Sequence, residues 1–193
     1  MPATKPKQSA ARQRIIKTAE RLFYSEGIHS VGIDRIIAEA EVAKMTLYNH
    51  FASKDDLILE VLKYRDEQVN AFFVKQIEEA KEQGEEPVEA LFTAIKKWFD
   101  GNQFRGCSFI NANVELANPK HPAAQYSGEH KQIFREMIAS VIKEQSGAKK
   151  AKELTDAIYL LIEGAIVTAQ MYHNSDSADV ARDAALKLLN ISR

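Results

Sequence analysis

Apolar residues recur at helical spacing along nearly the whole chain, and the stripes break at glycine, proline or short polar runs. Ile15, Ile16, Ala19, Leu22 and Phe23 share one stripe, with Arg12, Arg14, Lys17 and Arg21 largely off it; Gly27 ends that helix. Ile33, Ile36 and Ile37 predict a short second helix over 33–40. Glu41-Val42 then turns the chain into a third helix over 43–51. Ser53, followed by Asp55 and Asp56, places a capping hydroxyl and two acids at the start of a long fourth helix, from Lys54 to about Gln83. Pro87 opens a fifth over 88–100, with Leu91, Ile95, Trp98 and Phe99 as its apolar face. Four more are expected over 107–117, 123–145, 149–173 and 178–189, separated by Asn118-Pro119-Lys120-His121-Pro122, Ser146-Gly147 and a polar turn at 174–177. No stretch alternates with the period of two that a half-buried strand requires. The pattern predicts an all-α fold of about nine helices.

Composition narrows the function classes. The 193 residues carry 26 Lys/Arg and 27 Asp/Glu, but eight of the bases and only five of the acids fall in residues 1–50. A basic head on an acidic body suits phosphate contact by the head alone. The single cysteine, Cys107, rules out an internal disulfide framework and fits a reducing cytoplasm. The opening residues contain no apolar signal-peptide core, and the longest apolar run, 157–169, is too short to span a bilayer and carries Glu163, so a cytoplasmic protein with no membrane role is expected. Residues 1–8, polar and holding two prolines, are expected to form a mobile basic tail.

The chemistry concentrates in Ile33–Lys54. Two short helices joined by a tight turn, the second beginning with polar side chains, match the demands of a helix-turn-helix. Val42, Leu47 and Phe51 can pack inward while Lys44, Met45, Tyr48 and Asn49 point out. Lys44 and Lys54 offer contacts to phosphate or guanine, Tyr48 and His50 to phosphate, and Asn49 to a base edge. By spacing alone, a corner of an ordinary helical bundle explains the same pattern equally well.

The wider motif separates the two. Ile15-Ile16-x-x-Ala19-x-x-Leu22-Phe23, Gly27, Ile36-Ile37-Ala38-Glu39-Ala40 and Val42-Ala43-Lys44-Met45-Thr46-Leu47-Tyr48-x-His50-Phe51-x-Ser53-Lys54-x-x-Leu57 together resemble the DNA-binding domain of the TetR family of bacterial one-component regulators. The resemblance covers about the first quarter of the chain. It implies a helix-turn-helix domain over 9–53, a ligand-binding and dimerisation domain over 54–193, and a homodimer on a palindromic stretch of double-stranded DNA. It places the DNA contacts on Lys44, Met45, Tyr48, Asn49, His50 and Lys54, with Gly32 and Ala43 as backbone contacts. One position departs from the family pattern: the turn residue before Val42, usually glycine, is Glu41.

The expected function is therefore a repressor that leaves its operator when a small-molecule effector binds the body. The aromatic-rich centre supplies a candidate pocket at Trp98, Phe109, Asn113, His130 and Phe134, since apolar walls with a few convergent polar groups characterise ligand sites. The run from Arg105 to Ala117 with Pro119-x-His121-Pro122 resembles a subgroup of these regulators and names no ligand. Cys107, at the start of a helix and near Arg105, raises a second reading, a redox or electrophile sensor; buried packing is the bland reading of the same residue. A third reading is an α-helical enzyme or carrier with no DNA role. Nothing supports catalysis: no nucleophile–base–acid grouping or phosphate-cradling loop is present, and Glu115, His121 and His130 lack compact metal-ligand spacing, so neither metal nor cofactor is expected. Leu154, Ile158, Leu161, Ile162, Ala165 and Ala169, with Val180, Ala184 and Leu188, form more apolar stripe than one neighbouring helix needs. The resemblance implies that these last two helices pair with a second copy.

Overall fold

A computed structural model describes residues 9–191; the expected tail over 1–8 lies outside the described residues. Eight helices are found and no strand among the described residues: α1 (Ala10–Glu26), α2 (Ile33–Glu39), α3 (Lys44–His50), α4 (Lys54–Glu82), α5 (Pro87–Phe99), α6 (Ser108–Leu116), α7 (Pro122–Tyr172) and α8 (Asp176–Leu189). The seventh and eighth of the nine expected helices are one continuous run, α7, broken at Gly147 by a non-helical backbone (φ 83°, ψ 166°). Its two arms fold back on one another: Lys131 bonds Glu163 at 2.7 Å and Arg135 bonds Asp156 at 2.5 Å, pairing ascending with descending sequence numbers. α7 is long and apolar enough by composition to cross a membrane. Ile138, Ile142, Ile158, Ile162 and Ile166 bury its apolar stripe inside the body.

Three helices make the head. Ile15, Ile16, Ala19, Leu22 and Phe23 of α1 meet Ile36 of α2, and Leu47 and Phe51 around α3; all are buried. Leu57 and Ile58 at the start of α4 join the same core, so head and body share one continuous apolar cluster. Local chemistry fixes the helix ends. Ser9 and Ser53 cap α1 and α4 by accepting the N–H of Arg12 and of Asp56, each at 3.1 Å. The His121 ring caps α7 through Nδ1, which accepts Ala123 N–H at 3.1 Å.

The turn between α2 and α3 closes as a Schellman motif. Val42 N–H reaches Ile37 O and Glu41 N–H reaches Ala38 O, both at 3.2 Å, with Ile37 and Val42 half-buried together. That geometry puts Glu41 at φ 52°, the left-handed region where a Cβ is strained.

One buried polar network links α4 to the first arm of α7. Asp66 and His130 are 7% and 4% exposed. The Asp66 carboxylate accepts His130 Nδ1–H at 2.5 Å, the Tyr126 hydroxyl at 2.9 Å and Asn70 Nδ2 at 3.1 Å. Phe109 of α6 stacks on the imidazole, centroids 3.5 Å apart. Three donors thus converge on one buried carboxylate and satisfy it. Burial holds the His130 pKa below its ordinary value, against the opposing pull of Asp66. The carboxylate also pushes the Tyr126 phenol up, after burial has done so.

Two outcomes follow. Glu41→Gly relieves about 1 kcal/mol of left-handed strain, partly offset by the greater entropy of glycine in the unfolded chain, and should raise unfolding stability by about 0.5 kcal/mol, with Glu41→Ala as the control that gains nothing. Between the depressed His130 pKa and about 6.5, the unfolded chain holds a proton that the folded one does not, so stability falls as pH drops through that window. Denaturant titrations from pH 7.5 to 5.5 should give a steeper loss for the wild type than for His130→Gln, by up to about 1.4 kcal/mol per pH unit. Equal slopes would assign the acid sensitivity to other groups.

Candidate nucleic-acid interface

The α2 helix and its turn hold α3 by its inner face alone. Leu47 is fully buried, while Lys44, Met45, Tyr48 and Asn49 are exposed, Met45 to 69% and Tyr48 to 42%. Two pairs of outward positions, 44–45 and 48–49, on successive turns of a short helix leave a bare ridge able to enter a groove. Lys44 Nζ sits 3.5 Å from the Asp34 carboxylate, both largely exposed, a contact weak enough to yield to phosphate. His50 and Lys54 are engaged differently. His50 Nε2 lies 3.0 Å from the Ser9 Oγ that caps α1. Lys54 Nζ donates to Ile28 O at 2.6 Å and lies 5.8 Å from the Phe23 ring centroid, and its partial burial lowers the ammonium pKa. Lys54 thus ties the first residue of α4 to the end of α1, with its remaining N–H groups available outward.

Behind this ridge, the end of α1 is bolted to the body. The Tyr24 hydroxyl donates to Gly106 O at 3.0 Å and accepts Arg105 N–H at 2.8 Å. Glu115, at the end of α6, accepts His29 N–H at 3.0 Å, and its backbone carbonyl accepts His29 Nε2–H at 2.6 Å. Arg65 of α4 bonds Glu20 at 2.8 Å and lies 4.5 Å over the Tyr24 ring. Two glycines allow the approach. Gly27 has φ 92°, and a Cβ there would meet the Glu115 carboxylate at 3.0 Å; at Gly106, with φ 79°, it would meet Gln170 at 2.1 Å.

The structure rearranges two parts of the sequence reading. Trp98, Phe109, His130 and Phe134 do line a common space in the body, but that space is only about 20 Å³. Asn113 does not join them; it is on the exposed side of α6, three residues beyond the half-buried Ile110 and one beyond the buried Ala112. Cys107 is the residue preceding α6, 5% exposed, and borders the same small space, whereas reaction with an oxidant requires an accessible thiolate.

The stripe expected to pair with a second copy also divides. Ile158, Ile162, Ala165 and Ala169 are buried within their own protomer at 0–5% exposure, because their i, i+4, i+7, i+11 spacing faces the body. Leu154, Leu161 and Ala184 are half-buried, and Val180 and Leu188 are exposed. The outward apolar face instead runs through Leu160, Val167, Met171, Tyr172, Val180 and Leu188, at 42–74% exposure. It borders a groove of about 500 Å³ between the second arm of α7 and α8.

Sequence reasoning missed Asp66 and the residues of the head–body junction. Asp66 had a usable signal: with Ile58, Leu62, Phe73 and Ile77 it keeps the register of the buried face of α4, where a carboxylate needs partners. Tyr24, His29 and Arg65 had none, since their partners lie 45 to 86 residues away.

Known proteins agree with this geometry. The model of bacterial regulatory proteins of the tetR family matches residues 15–61. A TetR-family transcriptional regulator of Streptomyces coelicolor, SCO4454, is similar in structure over 95% of this chain and 96% of its own, with a TM-score of 0.79 and 33% identity. A tetR transcriptional regulator described as putative, sav143 of Streptomyces avermitilis, matches 95% of this chain and all of its own at TM-score 0.76 and 25% identity. Among curated relatives, the HTH-type transcriptional regulator YxaF of Bacillus subtilis is 28% identical over 163 residues, 81% of this chain and 83% of its own. The head built around α3 is a DNA-binding helix-turn-helix, and the chain belongs to the TetR family of transcriptional regulators.

Proposed function

We propose that the protein is a ligand-responsive repressor acting as a homodimer on a palindromic operator. The observation that carries this reading is the bare ridge of Lys44, Met45, Tyr48 and Asn49 on a helix whose opposite side, at Leu47, is fully buried in the head. In the complex, Lys44 and Tyr48 hold phosphate, Asn49 reaches a base edge, Met45 packs on apolar base surface, and His50 and Lys54 add backbone contacts at the ends of α3. Two copies joined through the exposed face of α7 and α8 set the separation of their α3 helices, which must be about 34–36 Å for successive major grooves. A small molecule that binds the body and favours another separation lowers operator affinity by the same factor by which operator lowers its own.

The exposed apolar residues support the pairing: a contiguous face of six large side chains on a soluble regulator calls for a cover. Leu160→Glu with Val180→Glu should convert a dimer to a monomer in sedimentation velocity and remove tight operator binding, while far-ultraviolet circular dichroism stays unchanged. A variant that remains dimeric would move the interface elsewhere.

On DNA from upstream of its own gene, Lys44→Ala with Tyr48→Ala should weaken binding by at least about tenfold, and Lys44→Ala alone should lower the slope of log K against log salt by about 1. Fluorescence anisotropy at several salt concentrations reads both. Unaltered affinity in the double variant would remove α3 from the interface and favour a helical carrier or enzyme.

A further inference from the structure

The side chains of α2 face three ways. Ile36 is fully buried in the core of the head. Arg35 turns toward α1, where it bonds Glu26 at 2.8 Å, and toward Glu39 of its own helix, also at 2.8 Å. Asp34 turns toward the DNA-reading ridge: its Oδ1 lies 3.5 Å from Nζ of Lys44, the first residue of α3. Among the described residues the Asp34 carboxylate has no other hydrogen-bond partner. The two side chains are 88% and 64% exposed, so their contact contributes little to the fold.

An acid in this place needs a reason, because the surface it borders meets phosphate. Once Lys44 turns to a phosphate, the Asp34 carboxylate is left against a polyanion, able to accept hydrogen bonds and to donate none. Donors there come from base edges, and in the major groove these are the N4 amine of cytosine and the N6 amine of adenine. The two are not equivalent. Adenine N6 lies between two acceptors, its own N7 and the O4 of the paired thymine, whereas cytosine N4 has guanine O6 on one side and only C5–H on the other. A carboxylate is therefore repelled from both sides at an A·T pair and from one side at a C·G pair.

We propose that Asp34 is a specificity-determining residue, which accepts a hydrogen bond from the N4 amine of one cytosine in each operator half-site. In the free protein Lys44 offsets the acid; on DNA the two part, the ammonium to the backbone and the carboxylate to a base. This role rests on the repressor reading above and extends base recognition from α3 to α2.

Selection of binding sites from a randomised duplex pool, by the wild type, Asp34→Ala and Glu41→Gln, reads the effect position by position. The wild type should enrich a palindrome with one cytosine fixed in each half-site. Asp34→Ala, which alters an exposed side chain and should melt at the wild-type temperature, should enrich the same palindrome with that position open to any base. Fluorescence anisotropy gives the magnitude: replacing this C·G pair by T·A in one half-site should weaken the wild type about tenfold and Asp34→Ala less than about twofold. Glu41→Gln removes another exposed acid, from the turn before α3, and should change the preference at no position. A wild-type site without a fixed cytosine, or a cytosine that Asp34→Ala still requires, would overturn the proposal. So would the same relaxation in Glu41→Gln, or tighter binding of Asp34→Ala to all duplexes alike, since either assigns the acid to charge repulsion without base reading. A wild type that enriches no sequence overturns the repressor reading as well, whereas an enriched site indifferent to Asp34→Ala removes Asp34 alone.

Discussion

The head has no independent stance: the end of α1 is fixed to α4 and α6 by hydrogen bonds from four side chains, and α3 inherits its position from that fixation. Tyr24 engages the loop before α6, His29 and Glu115 engage one another, Arg65 spans to Glu20, and Lys54 returns to Ile28. Individually such bonds contribute about 0.5–1.5 kcal/mol, more where a charge takes part. Their arrangement around one helix end matters more than their sum, because each removes a different rotation. A shared apolar cluster running from Ile15 to Ile58 removes the remaining freedom.

Within the body, order rests on a different kind of contact. Asp66 could not be tolerated on the buried face of α4 without its three donors, and those donors come from the same helix and from α7. Phe109 on the His130 ring brings α6 into the same cluster. One carboxylate therefore fixes the relative position of three helices that a purely apolar core would leave free to slide.

Much of the fold was legible because its signals are local. Ser53 with Asp55 and Asp56 marked the start of α4, Gly27 the end of α1, and Ser146-Gly147 the break in α7. The α3 ridge was legible for the same reason, since seven residues suffice to separate Leu47 from Tyr48 and Asn49. What failed was the orientation of stripes with two apolar faces. On the second arm of α7, periodicity marks Ile158-Ile162-Ala169 and Leu160-Val167-Met171 alike, and only the neighbours decide which is inside. Asn113 was misplaced because polarity at helical spacing does not say which way the helix is turned. The junction was invisible because it joins residues far apart in sequence, and the cavity of about 400 Å³ beside it is a property of packing that no pattern carries.

The break at Gly147 has a mechanical side. A straight helix of 51 residues would extend about 77 Å, well beyond such a domain. Folded at its midpoint, it works as a tuning fork whose two tips return toward one end of the molecule. There His121 lies 3.4 Å from Asp55 at the start of α4, and Gln170 rests over the Gly106 loop that holds Tyr24. Each arm is about 37 Å long, so one degree of opening at Gly147 moves a tip by about 0.6 Å. The stem of the fork is remote from those two contacts, yet any change in its angle moves the arms that make them.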